Sequence, residues 1–104
     1  MAVMAQFKTA YLQREVRVDA KVAAEVKVGQ LCTLSEGSIA AKTSATAAVG
    51  DVIIAQSDMT VGKGHVPVEN RDHNYSNKVA ASTSAKHVMV FFVTDPNDLV
   101  LTTV

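Results

Sequence analysis

Apolar and polar residues alternate most strictly over residues 15–22, E-V-R-V-D-A-K-V, which puts Val16, Val18, Ala20 and Val22 on one face and Glu15, Arg17, Asp19 and Lys21 on the other. Val18, Val22 and Val26 also stand at helical spacing, but β-branched side chains at this density favour an extended strand. The strand pattern continues through residues 26–34, 38–42 and 52–56. In this reading Gly29 opens a strand, Ser35-Glu36-Gly37-Ser38 turns the chain, and Gly50-Asp51 leads into the apolar run V-I-I-A-Q. Residues 61–65 read as a flexible turn. Pro67 suits an edge strand over 66–69, because it cannot donate to a ladder. Residues 69–77, E-N-R-D-H-N-Y-S-N, are the most polar stretch and read as an exposed loop. A strand at 78–81, a Ser/Thr link, a strand at 87–93, the turn Asp95-Pro96-Asn97-Asp98 and a last strand at 99–104 complete the chain. Many short strands with closely set turn signals predict an all-β fold, a small barrel or sandwich of short antiparallel strands.

Residues 1–14 fit that pattern least. Met4, Phe7, Tyr11 and Leu12 form either a stripe of one or two helical turns or an extended arm. The organisation expected is an apolar N-terminal arm at 1–14 and a single β domain at 15–104.

Composition makes the core thin. Of the 104 residues, 15 are Ala and 17 are Val, with 3 Phe, 2 Tyr and no Trp, so each buried side chain removes little area from water. A chain of this length buries only about two-thirds of the surface it exposes when unfolded, which favours borrowing surface from a neighbour. Ten basic and ten acidic residues are interspersed and cancel. No basic stripe of the kind that neutralises phosphates is visible, so no nucleic-acid partner is expected. No run approaches the roughly 18 apolar residues of a membrane span, and the first residues lack a charged-then-apolar leader pattern. The expectation is synthesis in the cytoplasm with no membrane partner.

Candidate chemistry is sparse. Cys32 is the sole cysteine, so an internal disulfide is excluded, and its place between Leu31 and Thr33 predicts a buried, inert thiol. His65, His73 and His87 lack the short spacings of metal ligands. Ser76 beside His73 and Asp72 is too local to form a triad, whose members converge from separate elements. Asp51 and Asp58, or Asp95 and Asp98, are the paired carboxylates, and the second pair is better explained by turn chemistry. Gly62-Lys63-Gly64 lacks the remaining positions of a phosphate-binding loop. Phe91 and Phe92, adjacent in a strand, face opposite sides; one belongs to the core and the other to a second core face or a subunit contact. No catalytic, metal or cofactor site is predicted, and no cofactor is expected.

The stretches Val28-Gly29-Gln30-Leu31, Leu34-Ser35-Glu36-Gly37-Ser38-Ile39 and Ala47-Ala48-Val49-Gly50-Asp51-Val52-Ile53-Ile54-Ala55, followed by a late strand and a D-P-x-D turn, resemble the small capsid decoration (head-stabilising) proteins of tailed bacteriophages. The resemblance covers residues 26–104. The chain departs from the pattern where Asp51 follows Gly50 in place of an apolar residue, and at the 69–77 loop. The resemblance implies a compact, non-enzymatic virion protein on the capsid exterior. Such a protein bridges neighbouring subunits of the major capsid protein and self-associates as a homo-oligomer, often a trimer. On that reading Phe7, Lys8, Tyr11 and Arg14 are the expected contacts to the capsid or a neighbouring subunit, since aromatic and Arg side chains dominate interface energies; the other reading of the arm is that it closes its own barrel. The alternatives are another virion β module (tail-tube, head-fibre base or head-completion protein) and a small ligand-binding β-barrel that uses Arg71, His73 and Tyr75 of the 69–77 loop.

Overall fold

The computed structural model describes residues 2–9, 14–56 and 78–104. Strands dominate it: β1 (Val3–Phe7), β2 (Val16–Val22), β3 (Val26–Lys27), β4 (Leu31–Ser35), β5 (Ser38–Ala41), β6 (Val52–Gln56), β7 (Lys78–Val79), β8 (Ser82–Phe92) and β9 (Leu99–Thr103). Five of them close into a barrel in the order β2-β5-β4-β6-β8. The fold is all-β, as the alternation predicts. One pairing departs from the antiparallel expectation: β2 and β5 run parallel, joined through Lys21↔Ser38 and Val22↔Ile39.

The barrel interior is filled by Ala20, Val22, Cys32, Ile39, Val52, Ile54, Val88 and Val90, with Val26 and Val79 of the β3–β7 ribbon joining the same cluster. Along β2 the period of two holds. Ala20 and Val22 are buried, while Arg17, Asp19 and Lys21 are exposed.

In contrast, the start of β4, β6 and the end of β8 from Val88 to Phe92 are apolar on both faces because both faces are covered there. Leu31, Ile53 and Val93 turn outward from the barrel. Together with Val3 and Leu99 they form a second core, against which Phe7, Phe91 and Leu101 pack. Phe92 packs inward instead. Both neighbouring phenylalanines are therefore half-buried, each in a different core.

The layer over that outer face is the ribbon β1–β9, paired antiparallel from Val3↔Thr103 to Phe7↔Leu99. Of the two expected forms, residues 3–7 thus take the extended one, as a strand packed on the chain's own barrel and not as a helical turn. Their other edge is held by Gly29 and Gln30, through Ala5 N–H donating to the Gly29 carbonyl (2.8 Å) and a bridge between Met4 and Gln30.

Turn chemistry accounts for the joints. Glu36 (φ 52°) and Gly37 (φ 73°) are the two central residues of the β4–β5 hairpin, with Ser35 paired to Ser38. Positive φ at both positions is the type I′ arrangement that matches strand twist. Gly29 (φ 90°) does not open a strand; it occupies the turn between β3 and β4, its N–H donating to the Ile54 carbonyl at 2.7 Å. At the other end of the chain, Asp95 caps a 3-10 turn over Pro96–Asp98 by accepting from Asn97 N–H at 3.0 Å. The expected Ser/Thr link at 82–86 is instead the first half of β8, because its residues pair with the end of β2 across a bulge between Ala20 and Val22.

Candidate interaction surface

Of the four expected contact residues, Phe7 and Lys8 sit at the end of β1, and Arg14 lies just before β2. Tyr11 lies outside the described residues, as do the 69–77 loop with Arg71, His73 and Tyr75, and also Pro67 and Asp58. The Phe7 ring stands edge-on to Phe91, with centroids 5.5 Å apart and planes at 77°. Lys8 is exposed, but its backbone N–H donates to the Asp98 carbonyl at 2.8 Å. Next to it, the Thr9 hydroxyl donates to Asp98 Oδ2 at 2.6 Å. Arg14 is exposed. The structure therefore places Phe7 and Lys8 at the junction of β1 with the 3-10 turn, Phe7 facing inward and Lys8 outward. Thr9 escaped the sequence reading because a lone threonine after an apolar stretch carries no periodic signal.

The titratable groups sort into structural roles. Asp51 is buried and ion-paired to Lys42 (Nζ to Oδ2, 2.9 Å), and the same oxygen accepts from Ala48 N–H at 2.8 Å. Its backbone carbonyl accepts from Val93 N–H at 2.8 Å. The aspartate after Gly50 thus clasps the 42–51 link to the end of β8. Cys32 is fully buried, as expected, and burial followed by the nearby Asp51 carboxylate pushes its thiol up to about 12. A thiol so placed stays protonated and is a poor nucleophile.

His87 and Asp19 face each other across β8 and β2 on the exposed wall of the barrel and are joined through Nδ1 and Oδ1. Among the described residues no group of three or more His, Cys, Asp or Glu side chains is arranged to hold a metal ion. No described helix is long and apolar enough to cross a membrane.

Among the described residues two open clefts can be named. One, of about 610 Å³, lies where β8 bulges past β2 and is lined by Lys21, Ser38, Ser82, Thr83 and Ser84. The Ser82 hydroxyl there is already engaged, accepting from Val22 N–H and donating to the Ser84 carbonyl. The other, of about 410 Å³, lies between Met4, Glu25, Lys27 and Gln30. Neither brings together an acid, a base and a nucleophile. The features that stand out are surfaces: the exposed outer face of β1–β9 and the strand edges beside it. No family model, characterised protein or solved structure matches this chain.

Proposed function

We propose that this protein is a non-enzymatic structural module of a phage virion that binds the outside of the capsid, bridges subunits of the major capsid protein and self-associates. The observation that carries the reading is the way the family-like run folds. Residues 31–56 form three neighbouring barrel strands, β5-β4-β6, joined first by the tight Glu36-Gly37 turn and then by the Ala/Thr-rich link that Asp51 clasps. That is the order of strand, turn, return strand, link and apolar strand on which the resemblance rests. The thin, valine-rich core and the balanced surface charge agree with a protein that completes its burial in an assembly. Binding to the expanded capsid and not to its alternatives stabilises that capsid by mass action, with no chemical step.

The contact surface in this reading includes the exposed Lys8 and Arg14, with Phe7 holding the end of β1 against the barrel. The test mixes the purified chain with expanded, undecorated capsids of the phage that carries its gene and sediments the capsids. Depletion of the chain from solution, weakened in the Lys8→Glu/Arg14→Glu variant, supports the reading. A chain left wholly in the supernatant overturns it.

A further inference from the structure

Strand β9 has one edge on β1, and among the described residues no strand on the other. The ladder fixes which backbone groups face that open edge. Ala2 and Val104 exchange two hydrogen bonds, at 3.1 and 2.8 Å, and Lys8 N–H donates to the Asp98 carbonyl, so that carbonyl and both backbone groups of residues 100, 102 and 104 point at β1. Antiparallel ladders alternate with a period of two. Leu99, Leu101 and Thr103 therefore point theirs away, and the Leu99 N–H is taken by the Pro96 carbonyl. Both backbone groups of Leu101 and of Thr103 are left facing outward, placed symmetrically about Thr102.

The side chains repeat that symmetry. Val100, Thr102 and Val104 share the exposed face of β9, and the two valines are 50% and 76% exposed. The face reads Val-Thr-Val, the same in either direction. An antiparallel second β9 centred on Thr102 pairs Leu101 with Thr103 twice, making four main-chain hydrogen bonds from the outward groups. It also sets Thr102 against Thr102 and each Val100 against a Val104, at the positions where cross-strand side chains approach most closely.

Charge separates this edge from a second open one among the described residues. The Val16–Ala20 part of β2, which β5 does not reach, carries Arg17 and Asp19 on its exposed face. Charged side chains of that kind discourage edge-to-edge pairing. Residues 99–104 carry none. Two copies meeting through β9 therefore set no charged side chain against another.

We propose that β9 is the self-association edge, and that its occupant is the β9 of a second copy in a two-fold, antiparallel pair centred on Thr102. The inference deepens the self-association part of the reading above and is separable from its capsid part, since the pair forms in free solution.

The experiment measures mass by sedimentation velocity over a concentration series. The unmodified chain is expected to run at twice the single-chain mass and to dissociate on dilution. Thr102→Lys and Thr102→Glu, each setting like charges across the axis, are expected to weaken association by about tenfold or more, with thermal midpoints unchanged at dilutions where every chain runs singly. Mixing the two variants is expected to restore the pair. Under mild oxidation, Thr102→Cys is expected to yield a two-chain disulfide species, a reading that does not depend on the lysine or glutamate variant folding. A chain that stays single at every concentration, a Thr102→Lys variant that pairs as well as the original, or a Thr102→Cys variant that does not cross-link overturns the proposal. So does a chain that is single in solution yet loses capsid binding on Thr102→Lys, which assigns the edge to a strand of the lattice instead.

Discussion

Phe7 at the end of β1 meets Phe91 on the outer wall of the barrel edge to face, ring centroids 5.5 Å apart. This contact joins the N-terminal strand to the barrel from outside, so β1 acts as a lid on a second core. An aromatic pair of this geometry adds about 0.5–1.5 kcal/mol to the area it buries. Because Phe7 is half-buried, Phe7→Ala is expected to cost about 2 kcal/mol, below the range for fully buried phenylalanines, and Phe7→Leu to recover more than half of that. Urea unfolding monitored by circular dichroism measures both. Lys8→Ala, one residue on and exposed, is expected to leave the midpoint unchanged; an equal loss at both positions refutes the lid.

The Lys42–Asp51 pair gives a sharper expectation because both side chains are largely out of water. Removing one partner leaves the other charge buried, which typically costs about 3–5 kcal/mol. Asp51→Asn is expected to fall at the lower end, since an amide oxygen still accepts from Ala48 N–H. Removing the stranded charge as well, in Lys42→Met/Asp51→Asn, is expected to return most of the loss. A double-mutant cycle by chemical denaturation decides. Strictly additive losses exclude the coupling.

The sequence made the barrel legible where a strand is half-exposed, as β2 is. Arg17, Asp19 and Lys21 alternate with Val18, Ala20 and Val22, and a period of two admits one structure. The same logic hid the second core. Ile53 and Ile54 form a continuous apolar run, which says that both faces are covered without saying by what. Val3 and Leu99 lie at opposite ends of the chain, and no local pattern announces that they meet. The residues 82–86 look like a link by composition, yet pairing with β2 overrides the weak strand preference of Ser and Ala. Cys32 was readable from its neighbours alone. Of the expected contact residues, the sequence indicated an apolar arm but not that Phe7 turns inward while Lys8 turns out.

Glu36 is the one described non-glycine residue with positive φ. An L side chain other than Asn, Asp or Gly is held there at a cost of about 1 kcal/mol. Glu36→Asn, which turns the hairpin into the favoured Asn-Gly pair, is expected to stabilise the protein by up to that amount. Glu36→Val, β-branched at a left-handed position, is expected to destabilise it. Thermal midpoints of the two variants must move in opposite directions, and a shared direction refutes the turn assignment.

Cys32 ties stability to alkaline pH. Its thiol is pushed up to about 12 by burial and, secondarily, by Asp51, whereas an unfolded cysteine ionises near 8.5. Between those values the unfolded chain has lost the proton and the native chain has kept it. The unfolded state then binds fewer protons, so stability falls as pH rises through that window, by at most about 1.4 kcal/mol per pH unit, and is untouched by the thiol below it. Cys32→Ala creates a small cavity but removes this dependence. The difference in unfolding free energy between the original chain and the variant is therefore expected to be constant up to about pH 8 and to shrink steadily above it. Alkylation gives an independent reading. At neutral pH iodoacetamide is expected to modify Cys32 only as fast as the protein opens, with the rate rising in urea in step with unfolding. Rapid labelling of the folded chain, or a pH-independent difference between the two proteins, contradicts the buried, protonated thiol.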